Sequence, residues 1–485
     1  MDHLFTRSGL LFFVHCLLCF AIVEIAADQS PQVPLSKKLD YNLDKLSVGR
    51  WKQECKEHRA TGFETFEGPV EFRPTMSDEH PFIPRLSAMN KTAWEQWVFD
   101  GTSDDGSQSV MIGLCRDPNY SFFGQGNLHI QFYAALGEGK TIKDLIFLDS
   151  SSIFDCGDHV ASYWVSESRG YEAFFVVNQD STAAALRLTT PRFRGNFTFA
   201  ATAPAHHLDG SLLSAQKQQV PHKEPPSLVA PGLHMLNAIP GAVIKGDIIL
   251  DGSPLSPPFT ARGGGGVLRL WAAEDWFSLV DGFRIIRASA GPYSFFFWDS
   301  PSRWAGSAHG SSGISPKTKE NAVYQWGVLY HGAKQLMATR LGRPAPKGDI
   351  PQQQADYIYV TQQYGPVGVR GHVAGGRSNG HLVHFVSPGA NRTWRFEVEH
   401  SVLQGSFPLG GERGVDVFGN RVWGGEVSSS GDHNCQYHGS AYSEDALFPE
   451  KLEQWRIWFV YSISMASQAS SAITNWLTSL GQGLL

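Results

Sequence analysis

Trp394-Arg395-Phe396-Glu397-Val398-Glu399-His400 alternates strictly: Trp394, Phe396, Val398 and His400 fall on one side, Arg395, Glu397 and Glu399 on the other. Successive side chains of a strand point to opposite faces, so the run reads as a half-buried β-strand with its charges in water. The segment 322–331 repeats the pattern with larger residues, placing Tyr324, Trp326, Val328 and Tyr330 on one face and Val323, Gln325, Leu329 and His331 on the other. Working outward, short period-two segments bounded by Gly, Pro, Asn and Asp recur at 94–100, 109–115, 127–134, 159–166, 172–178, 194–201, 243–250, 266–272, 293–299, 356–362 and 381–386. Helix-period segments are scarce. The pattern predicts an all-β chain built from antiparallel sandwiches or barrels.

Composition agrees with this reading. Aromatic residues make up 12% of the chain and there are 50 glycines, which suits sheets joined by tight turns. A length of 485 residues with 42% hydrophobic residues is enough for two or three domains with large cores. The net charge is −6, with Lys and Arg dispersed, so the electrostatic footprint of a nucleic-acid binder is missing.

Residues 1–27 have the layout of a signal peptide: Arg7, then apolar sequence from Leu10 interrupted only by His15 and Glu24, then Ile25-Ala26-Ala27 before Asp28. An uncleaved membrane anchor is the alternative, and the short, interrupted run argues against it. Cleavage would remove Cys16 and Cys19 and leave Cys55, Cys115, Cys156 and Cys435, an even set for an oxidising compartment. Three pairings are open. Asn90, Asn119, Asn196 and Asn391 each head an Asn-x-Ser/Thr triplet and are expected glycan acceptors at the surface. The remaining chain is divided into an N-terminal β domain, 28–278, and a C-terminal β-barrel domain, 279–485, ending in a helix.

Two segments break the strand pattern. Ala203 to Gly232, rich in Pro, His, Gln and Ser, reads as a long surface excursion. Glu450 to Leu480 reads as a helix, with Trp455, Trp458, Phe459 and Ile463 at helical spacing. Its many Ser residues favour packing against a sheet over contact with a membrane.

Common catalytic motifs are missing. Gly263 to Gly266 lacks the Lys-Ser/Thr of a phosphate loop and reads as a turn or bulge. Neither a Gly-x-Ser-x-Gly elbow nor a His-Glu-x-x-His helix occurs. His433-Asn434-Cys435-Gln436-Tyr437-His438 has metal-type residues, but Cys435 is wanted for a disulfide, and no metal site is expected. What remains is aromatic, with isolated acids and bases. Trp94-Glu95-Gln96-Trp97-Val98-Phe99-Asp100 enters a hairpin at Gly101-Thr102-Ser103-Asp104-Asp105-Gly106. In 293–299 both faces are aromatic, as expected where two layers or two domains meet. Asp100 and Asp299 end aromatic strands, and Arg284 and Arg287 precede the second of these; a structural ion pair is the simplest use for them. His331 and His400 sit on strand faces among apolar neighbours, where a hydrogen-bonded core histidine is the commoner outcome.

Trp94-Glu95-Gln96-Trp97-Val98-Phe99-Asp100 with Ser103-Asp104-Asp105-Gly106, then Gly124-Gln125-Gly126-Asn127-Leu128, then Ile286-Arg287-Ala288-x-Ala290-Gly291-Pro292-Tyr293-Ser294, resemble the fungal Diels-Alderase family. That family belongs to a lipocalin-like group with the carotenoid hydratases and the secreted kievitone hydratase, and the likeness spans roughly 50–460. It implies two lipocalin-like β-sandwich or β-barrel domains, an apolar cleft for small-molecule substrates, and no cofactor. In character the chain is most similar to secreted hetero-Diels-Alderases that join a tropolone- or phenol-derived quinone methide to a terpene such as humulene. The resemblance makes Trp97, Asp100, Arg287, Tyr293, Trp298, Trp326 and Trp394 candidate substrate-binding residues. Glu95, Asp299, His331 and His400 are candidate proton donors or catalytic groups.

One departure bears on the reaction. Where members with hydratase-like chemistry are expected to carry an imidazole and a carboxylate, this chain reads Gly265-Gly266-Val267-Leu268-Arg269-Leu270-Trp271. Hydration needs a proton donor and a base for the water. Cycloaddition needs a reactive pose and one polarising hydrogen bond. The leading expectation is therefore a hetero-Diels-Alder cyclase; the alternatives are a hydratase or dehydratase of a prenylated phenolic, or a lipocalin-like carrier that binds without turnover.

Overall fold

A computed structural model of the chain describes residues 34–35, 48–64, 66–71, 80–118, 126–137, 139–213, 226–303, 323–339, 355–366, 368–427 and 437–449. The expected signal segment, the expected C-terminal helix, Asn119 and Cys435 lie outside the described residues.

The described chain is all-β, as its period-two pattern predicts, and forms three antiparallel sheets. The first has the order Lys56–Thr61, Ser150–Asp155, His159–Ser166, Tyr171–Asn178, Ala183–Thr189, Phe193–Ala201, Ala242–Leu250 and Ser253–Pro254, with Phe259–Arg262 also paired to Ala242–Leu250. The second is central: Leu228–Ala230, Leu233–Ile239, Gly265–Ala272, Trp94–Thr102, Ser109–Arg116, Leu128–Ala135 and Thr141–Phe147. The third runs Lys334–Thr339, Val323–His331, Tyr293–Pro301, Gly282–Ala290, Tyr437–Leu447, Arg413–Glu426, Arg392–Gly410, Gly380–Ser387 and Tyr357–Gln363. It curls into a nearly closed barrel. At its edges, the Thr339 hydroxyl donates to the Asp356 carbonyl at 3.0 Å.

The central sheet is buried on both faces, which explains why Trp94–Thr102 has no exposed residue at all. Trp97, Phe99, Ile112, Leu114, Ile130 and Phe132 point towards the first sheet and meet Trp164, Phe175, Leu186 and Phe199 there. Trp94, Val98, Met111, Leu268 and Leu270 point the other way, against Ile285, Phe296, Trp298, Trp326 and Tyr442 on the outside of the barrel. A third core fills the barrel itself, with Phe295, Phe297, Phe385, Trp394, Phe396 and Val398. The strand Arg392–Gly410 shows the expected alternation from Trp394 to His400, even-numbered residues buried and odd-numbered ones part-exposed.

Gly263 to Gly266 leads straight into the strand Gly265–Ala272, and its glycines permit close approach. A Cβ on Gly265 would lie 2.3 Å from the Asp100 carbonyl oxygen, and one on Gly266 would lie 2.1 Å from that of Ile239. No side chain larger than hydrogen fits there.

Two expectations are corrected. Ala203 to Leu208 does not wander over the surface. Ala203, His206, His207 and Leu208 are completely buried, and His206 exchanges backbone hydrogen bonds with Asn237 at 3.1–3.2 Å. Local sequence is polar here because its backbone and imidazole groups find partners inside. Of the four cysteines, Cys55 and Cys156 form a disulfide, whereas Cys115 is a free thiol in the core, its pKa driven up by burial. It sits on the central sheet, and among the described residues the other two cysteines are already paired with each other.

Candidate functional site

Glu95 faces the first sheet and collects cations. Its carboxylate accepts from the Arg85 backbone N–H at 2.9 Å and from Arg269 at 3.2 Å, and Arg116 lies 3.6 Å away. The Arg269 guanidinium stands 3.7 Å above the Trp97 ring and donates to backbone oxygens of Gln96, Ile83 and Pro81. Glu95 serves two buried guanidiniums, whose remaining donors go to backbone oxygens and the Ser151 hydroxyl, the kind of pairing buried ions require. Glu95 and Trp97 therefore brace the N-terminal sandwich.

Asp100, on the opposite face of the same strand, meets the barrel. Its carboxylate accepts from Arg287 Nη1, and Arg287 Nη2 donates to Asn237 Oδ1 at 3.3 Å. The register of Gly282–Ala290 with Tyr437–Leu447 sets Tyr442 beside Arg287, and the Tyr442 hydroxyl donates to Glu444. Burial pushes Glu444 up to about 7 and Asp100 up to about 6, the latter against the pull of Arg287. Trp298 and Trp326 pack in the same interface, the Trp326 N–H donating to the Val229 carbonyl at 2.9 Å.

On the inner side of the barrel wall, a cavity of about 340 Å³ is lined by Phe283, Arg284, Asp299, Val323, His400, Asp416, Phe418, Asp445 and Leu447, among others. This falls in the size range of small-molecule sites, and its wall combines the Phe283 and Phe418 rings with a polar side of Arg284, Asp299, Asp416 and Asp445. Arg284 is the centre of its polar side. Its Nε donates to Asp445 Oδ1 at 3.0 Å and its Nη1 lies 3.7 Å from Asp299. Gln325 approaches Asp299 at 3.5 Å. Burial raises the Asp299 pKa, with Arg284 opposing; His381 and Arg284 hold Asp445 well below the usual carboxylate range, although burial opposes them. His400 is lowered to about 4, by burial first and then by His381, so its ring is neutral near pH 7. It stacks on Phe418 at 3.8 Å.

The loop beside the cavity is tied down by one carboxylate. Asp416 accepts from the backbone N–H groups of His372 and Val373, each at 2.6 Å, and from the Ser406 hydroxyl at 2.6 Å. Gly371, Val373, Ala374 and Gly376 of that loop line the cavity.

The residues singled out from sequence thus fall in different places. Asp299 and His400 share the cavity, Asp100, Arg287, Trp298 and Trp326 share the interface between central sheet and barrel, and Glu95 and Trp97 belong to the N-terminal core. Tyr293 and Trp394 lie in the barrel core, and His331 is exposed at its rim, 5.1 Å from the Tyr293 ring. Asn391 is exposed in a hairpin turn; Asn90 and Asn196 are half-buried and hydrogen-bonded, to the Gly68 carbonyl and to Arg187 respectively. Sequence reading missed Asp445, His381, Tyr442 and Glu444. The one signal was Glu444-Asp445, two adjacent acids in a strand, which alternation sends to opposite sides of the barrel wall.

Comparison with known proteins follows this geometry. The Diels-Alderase-like family model matches residues 52–449. Hexane cyclase xenF of Xenoacremonium sinensis is 33% identical over 455 residues, 93% of this chain and 94% of the relative. Diels-Alderase mycB of Thermothelomyces thermophilus is 32% identical over 431 residues, covering 88% and 90%. The crystal structure of CghA superposes with a TM-score of 0.66 at 20% identity, over 82% of this chain and 100% of CghA, which supports the fold. Such extended similarity makes the protein a member of the Diels-Alderase-like family, whose relatives are named as cyclases.

Proposed function

We propose that this protein is a pericyclic cyclase that closes a six-membered ring by [4+2] cycloaddition in the barrel cavity. What carries the reading is the wall described above: Phe283, Phe418 and Leu447 offer apolar surface to a polyene, while the Arg284 guanidinium, held between Asp299 and Asp445, offers a donor. A donor at a carbonyl conjugated to the alkene lowers the barrier, and a confining apolar wall holds diene and dienophile in one reactive pose. The reaction moves no atoms in or out and needs no oxidant or reductant.

Two forms of the reaction fit. The intermolecular hetero-Diels-Alder coupling of a quinone methide with humulene is the form expected from sequence. Closure within one chain is the second form, and the relatives xenF, pydB and gkaB, each named a hexane cyclase, support ring formation in general. The purified chain is incubated with a quinone-methide precursor plus humulene and, separately, with a linear diene tethered to an activated alkene. Faster formation and a narrower isomer ratio than in buffer, with either probe, supports the cyclase and says which form it takes. Label from isotopic water in the product would point to a hydratase, and binding of both probes with spontaneous isomer ratios would leave a carrier.

The secretory location expected from residues 1–27 is part of the proposal. The Cys55–Cys156 disulfide supports it, since such bonds persist in oxidising compartments. Glycosidase treatment of protein from the native host should shift its mass, and Asn391→Gln should reduce that shift.

A further inference from the structure

We propose that His381, His400 and Asp445 form a binding site for one divalent transition-metal ion of the zinc type, in the wall of the barrel cavity. The residues come from three strands of the barrel sheet: Gly380–Ser387 and Arg392–Gly410, which are neighbours, and Tyr437–Leu447, separated from Arg392–Gly410 by Arg413–Glu426. One ligand atom from each lies within 4.8 Å of the other two. Two imidazoles and a carboxylate are the donor set that such ions prefer, with a further position left for a ligand.

The histidines are placed as ligands rather than as ordinary core residues. His400 has its Nδ1 on the Asn420 amide oxygen at 2.7 Å. That oxygen can only accept, so the proton is on Nδ1 and the lone pair on Nε2. Nε2 is buried without a hydrogen-bond partner, in a residue only 1% exposed. His381 is completely buried, its ring 5.2 Å from that of His400 and nearly perpendicular to it, and its Nε2 lies 3.3 Å from Asp445 Oδ2. Neither of its ring nitrogens makes a hydrogen bond of good geometry. Unpartnered buried ring nitrogens are costly, and a metal ion would satisfy both residues at once.

The surroundings fit a cation. Asn420 is itself fixed, its amide donating to the Ala441 carbonyl at 3.1 Å and the Ser443 hydroxyl at 3.0 Å, so His400 is oriented from behind as metal-binding histidines are. Arg284 engages Asp445 through Oδ1, leaving Oδ2 on the histidine side. With Asp299 also present, two carboxylates face one guanidinium, and the group has room for positive charge. His400 and Asp445 line the cavity, so an ion there would stand at its edge.

The site stands without the cyclase reading, because binding is measured without any substrate. The full chain is stripped with a chelator and titrated with Co²⁺, followed by its visible d–d absorption, and with Zn²⁺ by calorimetry. One saturable ion per chain is expected, with Mg²⁺ unable to compete. His381→Ala and His400→Ala should abolish it, Asn420→Ala should weaken it by about 10–100-fold, and His331→Ala at the exposed rim should leave it unchanged. Should the buried variants not fold, the ring-nitrogen NMR signals of the wild-type histidines decide, since Zn²⁺ must move two of them. No saturable binding, or binding that persists in His381→Ala/His400→Ala, overturns the proposal.

Discussion

Asp100 and Arg287, 187 positions apart in the chain, form an ion pair with no solvent exposure on either side chain, joining the central sheet to the outer wall of the barrel. Removing one member leaves the other charged and unpaired in the interior. Arg287→Met should cost about 3–5 kcal/mol in denaturant unfolding, whereas Asp100→Leu with Arg287→Met should recover much of that. A double variant no more stable than either single one would mean that the pair contributes through its hydrogen bonds to neighbours such as Asn237.

The same interface makes stability depend on pH. Asp100 rises from 3.8 to about 6 and Glu444 from 4.5 to about 7 on folding, both chiefly through burial. The native state therefore holds more protons than the unfolded one across that window, so stability is greatest below the unfolded values and is lost as pH rises through the folded ones. Denaturation midpoints measured from acid to neutral pH should fall accordingly. Glu444→Gln should flatten the upper part of the decline; an unchanged slope would place the proton uptake elsewhere.

Catalysis should depend on Arg284 far more than on His331. Arg284 lines the cavity between Asp299 and Asp445, while His331 is exposed on the rim. Loss of a single aligned donor typically lowers turnover by about 10²–10³-fold, and that is the expectation for Arg284→Met, with partial recovery in Arg284→Lys. His331→Ala should stay within about twofold of wild type, as an exposed side chain outside the cavity makes no transition-state contact. Turnover and isomer ratio of the cyclised product are the readout.

The cysteines should separate cleanly by reactivity. Cys115 is buried with its thiol pKa driven upward, so the native protein should resist thiol reagents and react only on unfolding. Cys55 and Cys156 close a loop of 101 residues, and Cys55→Ser/Cys156→Ser should cost about 2–5 kcal/mol. Mass spectrometry after alkylation with and without denaturant gives the first result, and denaturant unfolding of the variant the second.

Strand-by-strand legibility varied with burial. Arg392–Gly410 was readable from Trp394 to His400 because one face is wet, and His159–Ser166 coincides with its expected span. Ala183–Thr189, Leu233–Ile239 and Gly282–Ala290 went unread, since strands covered on both sides need not alternate. Tyr437–Leu447 was missed for another reason: its small and polar residues are buried only because Glu444 finds Tyr442 and Asp445 finds Arg284.

By itself the sequence determined the class of fold and the family, because alternation, turn residues and the ordered motifs from Trp94 to Ser294 are local properties of the chain. It also placed Asp100 and Arg287 among the residues of interest, without saying that they meet. Tertiary structure alone decided which carboxylate faces which space. Glu95 and Asp100 lie on one strand yet serve opposite interfaces, and Glu444 and Asp445, adjacent in sequence, are divided by the barrel wall. Side-chain alternation guarantees two faces, but only the packing of sheets assigns one to a core and the other to a cavity.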